Sequence, residues 1–124
     1  MKKILVVDDD ASNRNFLSEI LPKYGFIVDS AEDGEEALER LKQFSPDLIL
    51  LDNVMPKMSG LELVKILKAD DNYKNIFVII FTALDSAENK NKCLEAGVGD
   101  YIAKPINFKQ LLERINAAIE GADK

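Results

Sequence analysis

The sequence predicts an α/β fold, in which a doubly wound parallel β-sheet lies between two layers of helices. Short apolar runs alternate along the chain with helical patterns, as strands and crossover helices do in such folds. The apolar runs are continuous rather than alternating, which is typical of parallel strands buried on both faces. The 124 residues contain no repeat and no linker-like stretch. We therefore expect a single domain over residues 1–124, with a core of about residues 2–120.

The first two strands flank a helix that contains a proline. Ile4–Val7 is an aliphatic run typical of a buried strand. Apolar residues recur at helical spacing over Phe16–Tyr24, and Pro22 within that pattern predicts a kink or an early last turn. Phe26–Val28 predicts a short second strand.

Helix-capping residues mark the middle of the chain. Asp33 is expected to cap a second helix, whose apolar stripe is Ala37, Leu38, Leu41 and Phe44. Leu48–Leu51 predicts the third strand. Pro56 is expected to fix the turn before Ser59, which forms a capping box with Glu62 at the start of a third helix.

The last third of the chain predicts two further βα units. Ile76–Phe81 is a fully apolar strand, and Ser86–Ala96 is a polar fourth helix that ends before Gly97. Asp100–Ala103 is a weaker fifth strand. Asn107 caps the last helix, whose apolar stripe is Phe108, Leu111, Leu112, Ile115 and Ile119.

Composition excludes several classes of function. The net charge of −6 and the lack of a basic patch argue against direct nucleic-acid binding. The absence of histidine excludes a Ser-His-Asp triad and the common imidazole zinc sites. Cys93 is the one cysteine, so no internal disulfide can form. No apolar run is long enough to span a bilayer or to serve as a signal peptide, so we expect a cytoplasmic protein without membrane insertion.

Polar residues follow four of the five predicted strands. In doubly wound sheets, ligands bind beyond the carboxyl ends of the strands, so these residues are expected to converge. The set comprises Asp8, Asp9 and Asp10 after the first strand, Asp52 after the third, Thr82 after the fourth and Lys104 after the fifth. Each has an ordinary alternative explanation, and for Asp10 we favour a role as helix N-cap. Their shared placement predicts a site.

The chemistry of this set indicates phosphoryl transfer. Clustered carboxylates repel one another and favour a bound cation. Hard oxygen ligands without imidazole or thiolate suit Mg²⁺ or Mn²⁺. A carboxylate, a divalent ion, a lysine and a hydroxyl together are typical of a phosphoryl-transfer site, in which an aspartate can act as the nucleophile.

Four motifs in order, ILVVDDD, LLDNVMPKMSG, FTA and YIAKP, resemble the receiver domain of two-component response regulators. The resemblance covers Lys2 to about Glu120. It implies a flavodoxin-like (βα)5 three-layer sandwich with strand order 2-1-3-4-5. It also implies a phosphoacceptor regulator in signal transduction rather than an enzyme. Such a regulator promotes only its own phosphorylation and slow autodephosphorylation.

The resemblance implies a role for each residue of the site. Asp52 would accept a phosphoryl group from a histidine kinase or a histidine phosphotransfer protein. Asp8, Asp9, Asp52 and the backbone carbonyl of Val54 would hold Mg²⁺, with Asp9 as a direct ligand and Asp8 acting through water. Lys104 would pair with a phosphoryl oxygen.

The resemblance also implies a conformational switch. Thr82 would move toward the phosphoryl group, Ala83 would leave room for that group, and Tyr101 would turn inward behind Thr82. A cis peptide from Lys104 to Pro105 would orient the lysine. The surface of the fourth helix, fifth strand and fifth helix would then change its affinity for a downstream protein or a fused output domain. The protein would be a monomer or a weak phosphorylation-dependent dimer.

Val54 and Leu84 stand where relatives often carry polar or acidic side chains, two positions after Asp52 and Thr82. Apolar groups cannot orient an attacking water by hydrogen bonding. Our hypothesis is that the aspartyl-phosphate persists longer here than in relatives with acidic groups at these positions.

Three alternative functions are disfavoured by particular residues of the sequence. A haloacid-dehalogenase-like aspartyl phosphatase typically has a second acid two residues after its nucleophile, where this chain has Val54. A flavodoxin-like cofactor binder needs a phosphate-cradling loop after the first strand, where three aspartates would repel phosphate. A pseudo-receiver, which binds partners without being phosphorylated, is disfavoured because all the expected site residues are present.

Overall fold

The computed structural model describes residues 2–55, 57–83, 86–105 and 107–122. Five strands alternate with five α-helices, and a short 3-10 helix, Leu21–Tyr24, follows the first of these helices. The strands are β1 Lys3–Val7, β2 Ile27–Ala31, β3 Leu48–Asp52, β4 Phe77–Thr82 and β5 Asp100–Ala103. The helices are α1 Ala11–Ile20, α2 Gly34–Leu41, α3 Gly60–Lys68, α4 Ala87–Glu95 and α5 Phe108–Ala122.

The five strands form one parallel sheet in the order β2-β1-β3-β4-β5, which confirms the predicted fold class and strand order. Val7 pairs with Leu51 across β1 and β3, and Asp52 pairs with Phe81 across β3 and β4. This register aligns the carboxyl ends of the central strands. The residues just after β1 therefore lie beside the last residue of β3.

Alternate residues of each strand pack on opposite faces of the sheet, as the pleat requires. One face packs with apolar residues of α2, α3 and α4, and its buried members include Leu5, Ile49, Ile80, Cys93 and Tyr101. The other face packs with α1 and α5, and its buried members include Ile4, Leu50, Phe81, Leu17 and Leu111. These two apolar layers explain why the central strands are continuous hydrophobic runs.

The helix boundaries follow the predicted capping chemistry. The side chains of Asp33, Ser59 and Ser86 accept backbone N–H groups at the starts of α2, α3 and α4. The capping box of Ser59 and Glu62 is complete. Asn107 Oδ1 accepts the N–H of Gln110 at 3.2 Å. Helix α1 ends at Ile20, and the chain tightens into the 3-10 helix that carries Pro22, as predicted.

The predicted second strand, Phe26–Val28, was wrong in its bounds. β2 runs from Ile27 to Ala31 because it pairs with β1 along its whole length. It contains the polar residues Asp29 and Ser30, which an edge strand tolerates. A prediction from hydrophobicity alone therefore ended the second strand too early.

Within the described ranges, no helix combines the length and the apolar character needed to cross a bilayer.

Candidate functional site

Three carboxylates from two neighbouring strands meet at the carboxyl edge of the sheet. Asp8 and Asp9 follow β1, and Asp52 is the last residue of β3. One oxygen from each lies within 4.8 Å of the others. Asp8 and Asp52 are buried, whereas Asp9 is exposed. The structure thus brings together the acids that the sequence placed in one site.

Both oxygens of Asp8 accept hydrogen bonds. Oδ1 accepts the backbone N–H of Asp10 at 2.9 Å, and Oδ2 accepts Nδ2 of Asn13 at 3.2 Å. Burial raises the pKa of Asp8 above its usual value, and the Asp52 carboxylate adds to the rise. The hydrogen bonds from Asp10 and Asn13 and the charge of Lys104 oppose that rise only in part. Asp8 is therefore a carboxylate that lacks sufficient compensating positive charge.

Asp52 is held by one hydrogen bond to each of its oxygens. Oδ1 accepts the backbone N–H of Val54 at 3.1 Å, and Oδ2 accepts Nζ of Lys104 at 3.3 Å. Asp52 is 4% exposed. The acid that ends this apolar strand thus lies at the rim of the sheet, beside a lysine that follows the last strand.

Lys104 connects β5 to the acidic cluster. Its backbone N–H donates to the carbonyl of Thr82 at 2.8 Å, which fixes its place after β5. Its Nζ lies 4.0 Å from Oδ2 of Asp8 and 5.2 Å from the ring centroid of Phe81. The peptide bond from Lys104 to Pro105 is cis, as the resemblance implied.

The residues expected to form the switch lie on β4 and β5. Thr82 is the buried last residue of β4, and Ala83, which follows it, is exposed. Tyr101 is on β5, where it pairs with Ile80, and it is 7% exposed. The Tyr101 side chain is thus already buried in this structure, whereas the resemblance implies that it turns inward behind Thr82 only once Asp52 is modified.

Asp10 has the ordinary role that the sequence favoured. Its Oδ1 accepts the N–H of Ser12 at 2.8 Å and caps α1. It is not among the described acids that cluster with Asp52. Leu84, predicted to flank the route of an attacking water, and Pro56, predicted to fix a turn, lie outside the described residues.

Sequence reasoning missed four residues that support the site. Asn13 and Arg14 both donate to Asp8, to its carboxylate and to its backbone carbonyl respectively. Asn53 ties the loop after β3 to α3, because its Oδ1 accepts the N–H of Leu61 at 2.9 Å. A Cβ on Gly60 would lie 2.7 Å from the carbonyl oxygen of Asp52. The glycine directly after the Ser59 cap was the available signal for this close approach.

The donor set fits a divalent cation. Three carboxylates share one edge, and among the described residues Lys104 provides the ion pairs that reach Asp8 and Asp52. The raised pKa of Asp8 indicates that more positive charge would be accommodated there. Oxygen ligands of this kind suit Mg²⁺.

Comparisons with known proteins identify the family of this chain. The sequence model of the response regulator receiver domain matches residues 4–116. The chain is 40% identical over 118 residues to the phosphate regulon transcriptional regulatory protein PhoB of Klebsiella pneumoniae, covering 95% of this chain and 52% of PhoB. It is 39% identical over 112 residues to hybrid signal transduction histidine kinase D of Dictyostelium discoideum, covering 90% of this chain and 7% of that kinase.

A solved structure agrees with these sequence relatives. The chemotaxis protein CheY4 of Vibrio cholerae superposes with a TM-score of 0.90 at 34% identity, covering 95% of this chain and 98% of CheY4. The chain spans about half the length of PhoB and a small part of the kinase. On these matches, the chain belongs to the response regulator receiver domain family of two-component signalling.

Proposed function

We propose that this receiver domain, residues 1–124 with a core of about 2–120, accepts a phosphoryl group on Asp52 in a Mg²⁺-dependent reaction. The observation that carries the proposal is the setting of the Asp52 carboxylate. It is nearly buried, it lies 3.3 Å from Nζ of Lys104, and it clusters with Asp8 and Asp9. An aspartate nucleophile with a lysine and further acids suits phosphoryl transfer.

Four groups of this chain are proposed to hold the metal. Asp9, the exposed acid, is the direct ligand, and Asp8 acts through water because both its oxygens already accept hydrogen bonds. Asp52 and the backbone carbonyl of Val54 complete the protein ligands. When bound, Mg²⁺ supplies charge neutralisation and orientation of phosphate oxygens, and Mn²⁺ is expected to substitute.

The transfer step uses an oxygen of Asp52 as nucleophile. As the P–O bond to Asp52 forms, the P–N bond to the donor histidine breaks, and its electron pair leaves with the imidazole nitrogen. Lys104 already lies against Asp52, so its ammonium needs only a short movement to pair with a phosphoryl oxygen. Ala83 adds little bulk beside the site, which leaves room for the group.

The new charge is proposed to bias a two-state equilibrium. The Thr82 hydroxyl moves to the phosphoryl group, and Tyr101 is held inward behind it. Because Tyr101 is already buried here, with only 7% of its surface exposed, phosphorylation would increase the population of an inward state rather than create it. The surface formed by α4, β5 and α5 then changes its affinity for partners.

The proposed partners follow from this role. The phosphodonor is a histidine kinase or a histidine phosphotransfer protein, and the output is a downstream protein or a fused output domain. We propose cytoplasmic action, without direct nucleic-acid contact, as a monomer or a weak phosphorylation-dependent dimer. Family membership favours this role over the phosphatase and flavodoxin-like alternatives. A pseudo-receiver would share the fold but would not react at Asp52.

Intact-protein mass spectrometry after incubation with acetyl phosphate tests the proposal. We expect a Mg²⁺-dependent gain of one phosphoryl group, absent in Asp52→Asn. Asp71→Asn makes the same chemical change at an exposed position and is expected to react like wild type. A wild type that stays unmodified, or an Asp52→Asn variant that is modified equally, contradicts the proposal.

A further inference from the structure

Asn13 reaches back from the first turn of α1 to the acidic cluster. It is half-buried, and its Nδ2 donates to Oδ2 of Asp8 at 3.2 Å. The same Asp8 oxygen lies 4.0 Å from Nζ of Lys104, and the other accepts the Asp10 N–H. The Asp8 carboxylate is therefore held by groups from α1, from the loop before it and from the segment after β5.

Helix formation does not account for asparagine at this position. Asparagine is a weaker helix former than alanine or leucine, and the capping position of α1 is already taken by Asp10, whose side chain accepts the N–H of Asn13. The neighbouring Arg14 donates from Nη1 to the backbone carbonyl of Asp8 at 2.7 Å. Consecutive side chains of α1 thus fix the main chain and the carboxylate of the same acid.

We propose that Asn13 is a positioning residue for Asp8 in the divalent-metal site, an inference that rests on the proposed function. An amide donor orients the carboxylate without adding positive charge, so it does not compete with a cation as another lysine would. By occupying Oδ2, Asn13 fixes the direction in which Asp8 presents its remaining lone pairs to a metal-bound water. Groups that orient metal-site carboxylates in this way contribute strongly to metal affinity.

Isothermal titration calorimetry with MgCl₂ on the whole chain tests this inference. Asn13→Leu keeps the branched shape and the number of heavy side-chain atoms but removes the donor, and we expect Mg²⁺ affinity to fall about tenfold. Asn13→Gln retains an amide donor and is expected to lose less. Asn15→Leu is the matched control, because Asn15 is exposed on the same helix, and its affinity is expected to equal that of wild type.

Two further readouts separate positioning from a structural effect. Without metal, Asn13→Leu is expected to unfold cooperatively at a somewhat lower temperature than wild type, because the buried Asp8 loses a hydrogen bond that the better helix propensity of leucine offsets only in part. The Mg²⁺ concentration for half-maximal phosphorylation by acetyl phosphate is expected to rise by the same factor as the dissociation constant. The maximal rate at saturating Mg²⁺ is expected to stay unchanged.

An Asn13→Leu affinity within about twofold of wild type, or an equal loss in Asn15→Leu, overturns the inference. A wild-type chain that binds no Mg²⁺ contradicts the proposed function instead. A wild type that binds Mg²⁺ normally, beside an unaffected Asn13→Leu, removes only the role of Asn13.

Discussion

In β3, Leu48–Leu51 and the residue that follows them, Asp52, are buried to nearly the same degree. The leucine and isoleucine side chains meet apolar residues from the helices on both faces of the sheet. The Asp52 side chain meets two other carboxylates and one lysine. The same strand therefore buries apolar side chains in its middle and a charged side chain at its end.

The difference shows how stability is distributed along the sheet. Fully burying a leucine contributes about 1.5–3 kcal/mol, whereas a buried carboxylate without adequate compensation is destabilising. A cation that binds only the folded state would offset that cost through linkage. Under the proposed function, the carboxyl edge gives up stability in exchange for the ability to bind a metal ion and accept a phosphoryl group.

The largest expected effect comes from the apolar middle of β3. Leu50→Ala is expected to lower the free energy of unfolding by about 3 kcal/mol, because it leaves a cavity beneath α1 and α5. Leu94→Ala makes the same change at a side chain on α4 that is 42% exposed, and we expect a loss of about 0.5 kcal/mol or less. Urea denaturation measures both variants, and equal losses would break the comparison.

Gly60 sharpens the comparison, because it lies near the site but supports the fold. In Gly60→Ala, the new Cβ would lie 2.7 Å from the Asp52 carbonyl oxygen and 2.8 Å from Cα of Asn53. Since both neighbours are backbone atoms, we expect a loss of about 2 kcal/mol despite the better helix propensity of alanine. Gly121→Ala has open space at its Cβ in α5 and is the control in urea denaturation. A stable Gly60→Ala would show that the loop after β3 yields easily.

A substitution at Val54 tests whether residues at the carboxyl edge of the sheet control the rate of aspartyl-phosphate loss rather than the stability of the fold. Val54 is 51% exposed, and its N–H donates to Asp52. The double variant Val54→Asn/Leu84→Glu supplies groups that can orient water, so we expect aspartyl-phosphate loss about tenfold faster, or ~1.4 kcal/mol off the barrier. The rate is followed by mass spectrometry after removal of the phosphodonor. Equal or slower loss in the double variant would refute the hypothesis of a persistent phosphate.

The smallest expected effect is a gain at the acidic cluster. Without divalent metal at neutral pH, Asp8→Asn is expected to raise the free energy of unfolding by about 1 kcal/mol, because it removes a buried charge repelled by Asp52. Asp9→Asn, at an exposed position, is expected to gain less. A loss of stability in Asp8→Asn would mean that the hydrogen bonds and the ion pair of the Asp8 carboxylate outweigh the cost of burying its charge.

The pH dependence of this gain has a defined sign. Because folding raises the pKa of Asp8, the folded state holds that proton more tightly than the unfolded state. Asp8 in the wild type is therefore least costly below its unfolded pKa, and its cost appears as pH rises through the folded pKa. Thermal unfolding curves of Asp8→Asn and wild type are expected to converge in acid and separate toward neutral pH.

The sequence predicted what depends on local patterning. The apolar runs of β1, β3 and β4 predict buried strands. Asp33, Ser59 and Asn107 predict helix starts, because their side chains can accept the backbone N–H groups that have no partner within the first turn. The convergence of Asp8, Asp9, Asp52 and Lys104 followed from the parallel topology once the strands were assigned.

What the sequence could not predict depends on pairing across space. The length of β2 is set by β1 and not by its own polar residues, such as Asp29. In the sequence, Asn13 looks like an ordinary exposed helix residue. Its contact with Asp8 arises only because the turn after β1 places α1 beside that acid. The burial of the Tyr101 side chain depends on how α4 covers β5, which the polar sequence of α4 does not reveal.

The burial of Cys93 has a practical consequence. Its side chain is 1% exposed on α4, in the same apolar layer as Tyr101, and burial raises the pKa of its thiol. A thiol reagent can therefore reach it only when α4 separates from the sheet. The labelling rate of Cys93 therefore measures how often α4 opens, and the rates with and without acetyl phosphate can be compared in the native chain.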